Sequence, residues 1–212
     1  MPGDRAMYID VAEGDQDWRE IYRLCIGFVN PRPIALVSTT SQQGLTNLAP
    51  FSFYNMVSAH PPIVMFCPGL TRDATKKDTL VNVKATGEFV IATVTEAIAE
   101  PMVRCAANLP HGRSEFEFSG LTPVTATRVR PPLVRESPVN MECTLRQVVS
   151  FGEQPGAGSA VFGDIVALHI ADWILDEDGQ VDARKLRTVG RLGGSGYCTV
   201  TEPYAMHIPK PG

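Results

Sequence analysis

The sequence predicts a mainly β (α+β) fold, a β-barrel or sandwich carrying a few short helices. Three observations carry that reading. Short apolar, β-branched runs recur along the chain, and 18 Gly and 17 Pro lie between them as turn punctuation. About seven such runs stand against about three helical stretches without regular alternation, which disfavours a doubly wound parallel sheet. A content of 44% hydrophobic and 20% charged residues in 212 positions suits one sizeable core and argues against disorder.

Taken in order, Asp17–Phe28 carries Trp18, Ile21, Tyr22, Cys25 and Ile26 at helical spacing, with acids near its start. Ile34–Thr40 is a β-branched strand that meets a hairpin turn at Ser41–Gly44. The return, Leu45–Phe53, contains Pro50, which cannot donate to a ladder and predicts an irregular strand. Pro61-Pro62 introduces a strand over Ile63–Cys67. Lys77–Gly87 reads as a helix, with Asp78 or Thr79 as its cap and Gly87 as its stop. Glu88–Val94 reads as a strand, followed by a helix capped by Thr95 and kinked or divided at Pro101. Thr122–Arg128, Val139–Ser150 and Ala160–Ile174 are further strands, the last two separated by the glycine-rich loop 152–158. Asp176-Glu177-Asp178-Gly179 reads as a hairpin turn rather than a calcium loop, because its Gly and terminal Glu are misplaced.

Charge and cysteine usage narrow the function classes. With 19 basic against 23 acidic side chains, the formal net charge is -4. A nucleic-acid partner is therefore not expected, since phosphate-backbone binding rests on surplus Lys and Arg. No apolar run approaches the ~20 residues of a membrane span. The acidic start lacks the apolar core of a signal peptide. Cys25, Cys67, Cys105, Cys143 and Cys198 are odd in number and never form CxxC, which points to reduced thiols and a cytoplasmic protein. His60, His111, His169 and His207 are scattered, so no metal site is expected.

Three constellations can carry chemistry. Thr71-Arg72-Asp73-Ala74-Thr75-Lys76-Lys77-Asp78-Thr79 sets an arginine, two lysines and three threonine hydroxyls where a helix begins. A helix start offers unpaired N–H groups and a positive dipole end, which suits a phosphate; a solvated loop is the competing reading. Ser38-Thr39-Thr40, followed across the turn by Asn47–Asn55, sets hydroxyls and amides beside aromatics, as a flat heteroaromatic ring requires. An ordinary hairpin with core aromatics competes with that. Gly190-Arg191-Leu192-Gly193-Gly194-Ser195-Gly196-Tyr197 does not match GxGxxG, and reads as a close backbone approach to a ligand or as a loop. His169, in the apolar run Ile165–Ile170, is either a structural histidine or a catalytic one. Arg104, His111 and Arg113 form a small basic area.

Arg32-Pro33-Ile34-Ala35-Leu36-Val37-Ser38-Thr39, Asn47-Leu48-Ala49-Pro50-Phe51-Ser52, Ser58 with Pro61-Pro62, and Lys76–Asn82 stand in an order that resembles the flavin reductase-like family. Gly87–Val90, Glu136–Val139, Glu142-Cys143, Gly163–Val166 with His169, and Gly190–Gly194 extend the likeness from about Tyr22 to Tyr197. His60 departs from it, standing where relatives often carry an acid. The resemblance implies an FMN-binding split β-barrel over residues 21–200, with an arm at 1–20 and a tail at 201–212, acting as a homodimer. It implies that Ser38, Thr39 and Thr40 border the isoalloxazine ring and that Asn47, Leu48, Ala49 and Pro50 meet its polar edge. Ser52, Lys76, Lys77 and Thr79 would hold the phosphate, and Phe53, Ser58, Asp78 and Gly193 complete the flavin-binding set.

The expected activity is an NAD(P)H-dependent flavin reductase in which hydride passes from nicotinamide to flavin N5, with His169 on the nicotinamide side. NADH or NADPH would be the co-substrate. The electron acceptor would be a small molecule or a partner flavin-dependent oxygenase. An FMN-binding electron carrier or storage protein without nicotinamide turnover is the alternative, and a binding protein with a decayed flavin pocket is a third reading.

Overall fold

The first helix, α1 (Trp18–Phe28), forms where the apolar spacing predicts it. Asp17 caps it, its carboxylate accepting from the Arg19 N–H at 3.0 Å. The computed structural model describes residues 6–12, 14, 16–109 and 113–209. After α1 come β1 (Arg32–Pro33), β2 (Ala35–Thr40), β3 (Thr46–Phe51), β4 (Tyr54–Ser58), β5 (Ile63–Phe66), α2 (Asp78–Thr86) and β6 (Glu88–Thr93). Then follow α3 (Ala99–Arg104), α4 (Glu115–Ser119), β7 (Pro123–Val124), β8 (Leu133–Val134), β9 (Val139–Ser150) and β10 (Ser159–Ile170). α5 (Ala183–Leu186), β11 (Val189–Arg191) and β12 (Tyr197–Thr199) complete the described chain.

Seven strands form one antiparallel sheet in the order β3-β2-β6-β9-β10-β5-β4. Laid flat at about 4.8 Å per strand, its two edges would stand ~29 Å apart. Yet the edge strands β3 and β4 are joined by Ser52 and Phe53 alone, three Cα steps that reach at most ~11 Å. The sheet must therefore curl until its edges approach at a seam where they do not pair, which makes a split barrel. Val37, Phe51, Val64, Phe66, Phe89, Ile91, Met141, Cys143 and Val161 fill the interior, and Leu80 and Val83 of α2 pack on it. A second apolar layer lies outside β2, β3 and β6, where Leu36, Leu48, Ala92 and Val94 meet Met102 and Phe116 of α3 and α4. With both faces covered, every residue of β2 is buried, which explains why its sequence runs apolar without alternation.

Several expectations need correction. α2 begins at Asp78 with Lys77 as its N-cap and no side-chain cap, so neither Asp78 nor Thr79 caps it. Its C-terminal stop is Gly87, at φ 73°. Thr95 precedes a 3-10 turn (Glu96–Ile98) without a side-chain cap bond, and Pro101 sits in the first turn of α3, where its missing N–H costs nothing. Of Thr122–Arg128 only Pro123–Val124 is strand, because the N–H groups of Thr127, Arg128 and Val129 turn toward the Glu142 carboxylate. The last long strand ends at Ile170, and Asp172–Ile174 is a 3-10 turn. Residues 189–199 are a hairpin, β11–β12, that pairs with β1. The turn expected at Asp176–Gly179 is present, its Asp176 carboxylate accepting from the N–H groups of Asp178 and Gln180.

Candidate functional site

Beside the seam, α2 presents an N-terminus that no side chain among the described residues caps, as at the shorter α3 and α4, whereas α1 and α5 are capped by Asp17 and Asp182. Exposed Lys76 and Lys77 stand at that end. The Lys77 ammonium lies 5.5 Å from the centroid of the Phe51 ring, a cation–π distance. The loop before α2 is self-braced. Thr71 and Thr75 hydroxyls lie 2.6 Å apart, and the Thr75 N–H donates to the Thr71 hydroxyl at 2.9 Å. The Thr71 hydroxyl also donates to Asp73 and holds that carboxyl below its usual range. Leu70 donates to the Ala157 carbonyl at 2.8 Å, so the loop leans on the β9–β10 hairpin tip. The lysines, rather than Thr71 and Thr75, are thus left at the helix end.

One side of β2 and β3 faces the barrel interior and α2. There the Asn47 amide donates to the Thr79 hydroxyl at 2.9 Å and to the Thr39 hydroxyl at 3.4 Å, and the Asn82 amide donates to Thr39 at 3.1 Å. Thr39, Thr79 and Asn82 are buried and Asn47 partly so. Asn82 was not among the expected contacts; its i+3 spacing from Thr79 puts both on one helical face. Ala49 shares this face, packed against the interior.

Strand alternation sends Ser38, Thr40 and Leu48 to the opposite face, so the structure does not bring Ser38 and Thr40 together with Thr39 and Asn47. Among the described residues, the buried hydroxyls of Ser38 and Thr40 find no hydrogen-bond partner. Thr46 meets Ser114 at 3.1 Å, and the Leu48 N–H donates to Glu115 at 3.0 Å. Burial pushes the Glu115 carboxyl up, the Leu48 N–H opposing and the Asp78 charge adding to the rise. Pro50 lies two residues on from Leu48, so it too faces outward on this edge strand, where a missing N–H breaks no ladder bond. Ser52 and Phe53 form the corner of the seam, and Ser58 ends β4 beside a bulge.

His169 stands apart from this cluster. On β10, three strands from β2, its Nε2 donates to Glu142 Oε1 at 2.6 Å. The fully buried Glu142 carboxylate also accepts from Thr127 at 2.9 Å, Arg128 at 2.5 Å and Val129 at 3.0 Å. Burial alone would raise this carboxyl, but the bonds from His169 and the three N–H groups outweigh it and leave it lowered. His169 thus has a structural role that its sequence context left open.

α1 borders the seam on its other side. Tyr22 meets Phe53 edge-on, with ring centroids 6.4 Å apart. Gly193, expected near the flavin, lets the β11–β12 hairpin approach α1: a Cβ there would stand 3.2 Å from Gly27 Cα. Buried Arg32 fastens the same junction, donating to the carbonyls of Ile26 (2.8 Å), Val29 (2.6 Å) and Leu192 (3.0 Å). Burial lowers its pKa, and Arg191 lowers it further against an opposing contribution from Tyr22. Of the small basic area, Arg104 and Arg113 are exposed, and His111 lies outside the described residues.

Comparison with known proteins bears on what this arrangement does. The chain is 41% identical over 187 residues to an uncharacterized protein of Aquifex aeolicus, covering 88% of this chain and 92% of that one. Nitrilotriacetate monooxygenase component B from Bacillus cereus superposes with a TM-score of 0.89 at 30% identity, over 96% of this chain and all (100%) of that one. The 2-nitrobenzoate 2-nitroreductase NbaA of Pseudomonas fluorescens superposes at 0.83 with 32% identity, over 96% of each chain. Both likenesses support a flavin-related oxidoreductase. Residues 28–187 match the flavin reductase like domain. With the split barrel formed and most of its length matched, the chain belongs to the flavin reductase-like family.

Proposed function

We propose that the chain binds FMN, with the phosphate on the N-terminus of α2, and works as an NAD(P)H-dependent flavin reductase. The observation that carries this reading is the helix start without a side-chain cap, flanked by Lys76 and Lys77 beside the open seam. Those residues fit the group, because a dianion is best held where free N–H groups, a positive dipole end and cations coincide. The Thr39–Asn47–Thr79–Asn82 network ties β2 and β3 to α2, so the strand edge and the phosphate end keep a fixed spacing. On that edge the Leu48 N–H is engaged by Glu115 and Pro50 has none. The chain therefore offers carbonyls there, which suit the N–H of a flavin ring. When bound, FMN supplies N5 as the acceptor of hydride from a nicotinamide. The protein has only to orient and exclude water, and no acid–base triad is required of it.

Two copies are proposed to pair, since Phe28, Met56, Leu168, Ile170 and Trp173 are exposed apolar residues. Likeness to a monooxygenase component B favours a partner oxygenase as the electron acceptor. The test compares FMN with riboflavin, which lacks the phosphate. Lys76→Ala/Lys77→Ala is expected to weaken FMN by about tenfold or more while leaving riboflavin binding as it was. Equal losses for both ligands would remove the phosphate assignment. Oxidation of NADH and NADPH with FMN present tests the reaction, and no turnover with either would leave the carrier role instead.

A further inference from the structure

We propose that Arg191, backed by the Tyr22–Phe53 aromatic pair, forms a subsite for the anionic group of the second substrate, a planar ring bearing a phosphate or carboxylate. The proposal rests on the flavin reading above and assigns the other reactant of that same site. It starts from a charge problem. In the β1–β11 ladder Arg32 stands directly opposite Arg191, and like charges placed so are destabilising. Among the described residues neither arginine has a carboxylate within ion-pair distance, whereas Arg19, Arg130, Arg146 and Arg187 each have one.

The two arginines differ in what they do with their donors. Arg32 is buried, and its guanidinium is committed to three backbone carbonyls at the C-terminal end of α1 and in the hairpin. Arg191 is only half-buried. Its guanidinium carbon lies 4.4 Å from the centroid of the Tyr197 ring, and among the described residues its hydrogen bond goes to the Gly194 carbonyl at 2.5 Å. A guanidinium has five N–H donors in a planar fork, so most remain for a bidentate anion, with the charge preorganised on an aromatic face.

Next to it lies a surface for a ring. The hairpin that carries Arg191 packs on α1 at Gly27. Tyr22 of that helix, like Arg191, lies near enough to Arg32 to act on its charge, and it meets Phe53 at the seam corner. Both residues are 46% exposed. A cation without a carboxylate beside two exposed aromatic rings matches a planar, anionic reactant, and binding would relieve the Arg32–Arg191 repulsion.

The experiment uses FMN-loaded protein and two probes, nicotinamide mononucleotide for a phosphate and benzoate for a carboxylate, measured by equilibrium dialysis. The wild type is expected to bind at least one, which names the anion. Arg191→Gln is expected to weaken that probe by about tenfold or more, Arg191→Lys to fall between the two because an ammonium keeps the charge and loses the fork, and both to take up FMN unchanged. Equal binding by Arg191→Gln, or binding of neither probe to the wild type at millimolar concentration, overturns the proposal. Loss of the probe together with a change in sedimentation would assign Arg191 to a contact between copies and overturn it as well. Should Arg191→Gln fail to fold, wild-type affinity must fall as sodium chloride rises, and indifference to salt overturns the subsite. The same dialysis on flavin-free protein separates the two readings: Arg191-dependent binding there upholds the subsite even if FMN does not bind.

Discussion

Glu142 ties a loop to two strands, since one carboxylate satisfies the N–H groups of Thr127, Arg128 and Val129 and holds His169. Truncation to Ala would strand three donors, each costing about 1–3 kcal/mol. Glu142→Ala is therefore expected to lower stability by about 3 kcal/mol or more in urea unfolding. The same carboxyl predicts an acid limit. Its pKa is lowered on folding, so its contribution is complete above the unfolded value, about 4.3, and is lost as pH falls through the lower folded value. Glu142→Gln should flatten the fall in melting temperature on acidification below about pH 4. Glu142 and His169 both stood in the recognised motifs, yet their pairing could not be read from sequence, because a separation of 27 positions says nothing of a contact made between adjacent strands.

Among the elements, α2 forgoes a stabilising cap where its function is proposed to lie. Lys77→Ser would supply the missing acceptor, and a good cap is worth about 1 kcal/mol. Thermal unfolding should register that gain, while FMN affinity drops because a cation has gone and the helix N–H groups are engaged. A variant that gains stability and keeps its affinity would refute the phosphate site. Asp17→Ala, by contrast, should cost about 1 kcal/mol at α1, with no effect on riboflavin binding. Legibility followed period and length. The 12-residue strand β9 was read to the residue, because apolar and turn signals bound it on both sides. The short β4 escaped notice: Tyr-Asn-Met-Val-Ser has no clean alternation, and only two residues part it from β3. α4, Glu-Phe-Glu-Phe-Ser, even carries the alternating pattern of a strand. β11–β12 read as a glycine-rich loop because its partner, β1, lies about 160 positions earlier, beyond the reach of local signals.

Across the whole molecule the barrel was legible as a class, since scattered short strands with glycine and proline between them have few other ways to bury one face. The division of Ser38 and Thr40 from Thr39 onto opposite faces follows from the two-residue period of a strand, but which face holds α2 is decided by tertiary packing. Protection against hydrogen exchange should be uneven in consequence. β6, β9 and β10, paired on both sides, should retain amide hydrogens longest, and β3 and β4, paired on one side, should exchange first. Mass spectrometry of exchanged peptides would check it, and equal protection at the rims would mean that the gap is bridged in solution. The Ser52–Phe53 connection then acquires a mechanical meaning. It is a leash between the two lips of an open cylinder, and its fixed length sets how far they can part. Each residue spliced into it would let out roughly 3.5 Å of slack, so the aperture's width, and the bulk of what can slip between the lips, is written in two amino acids.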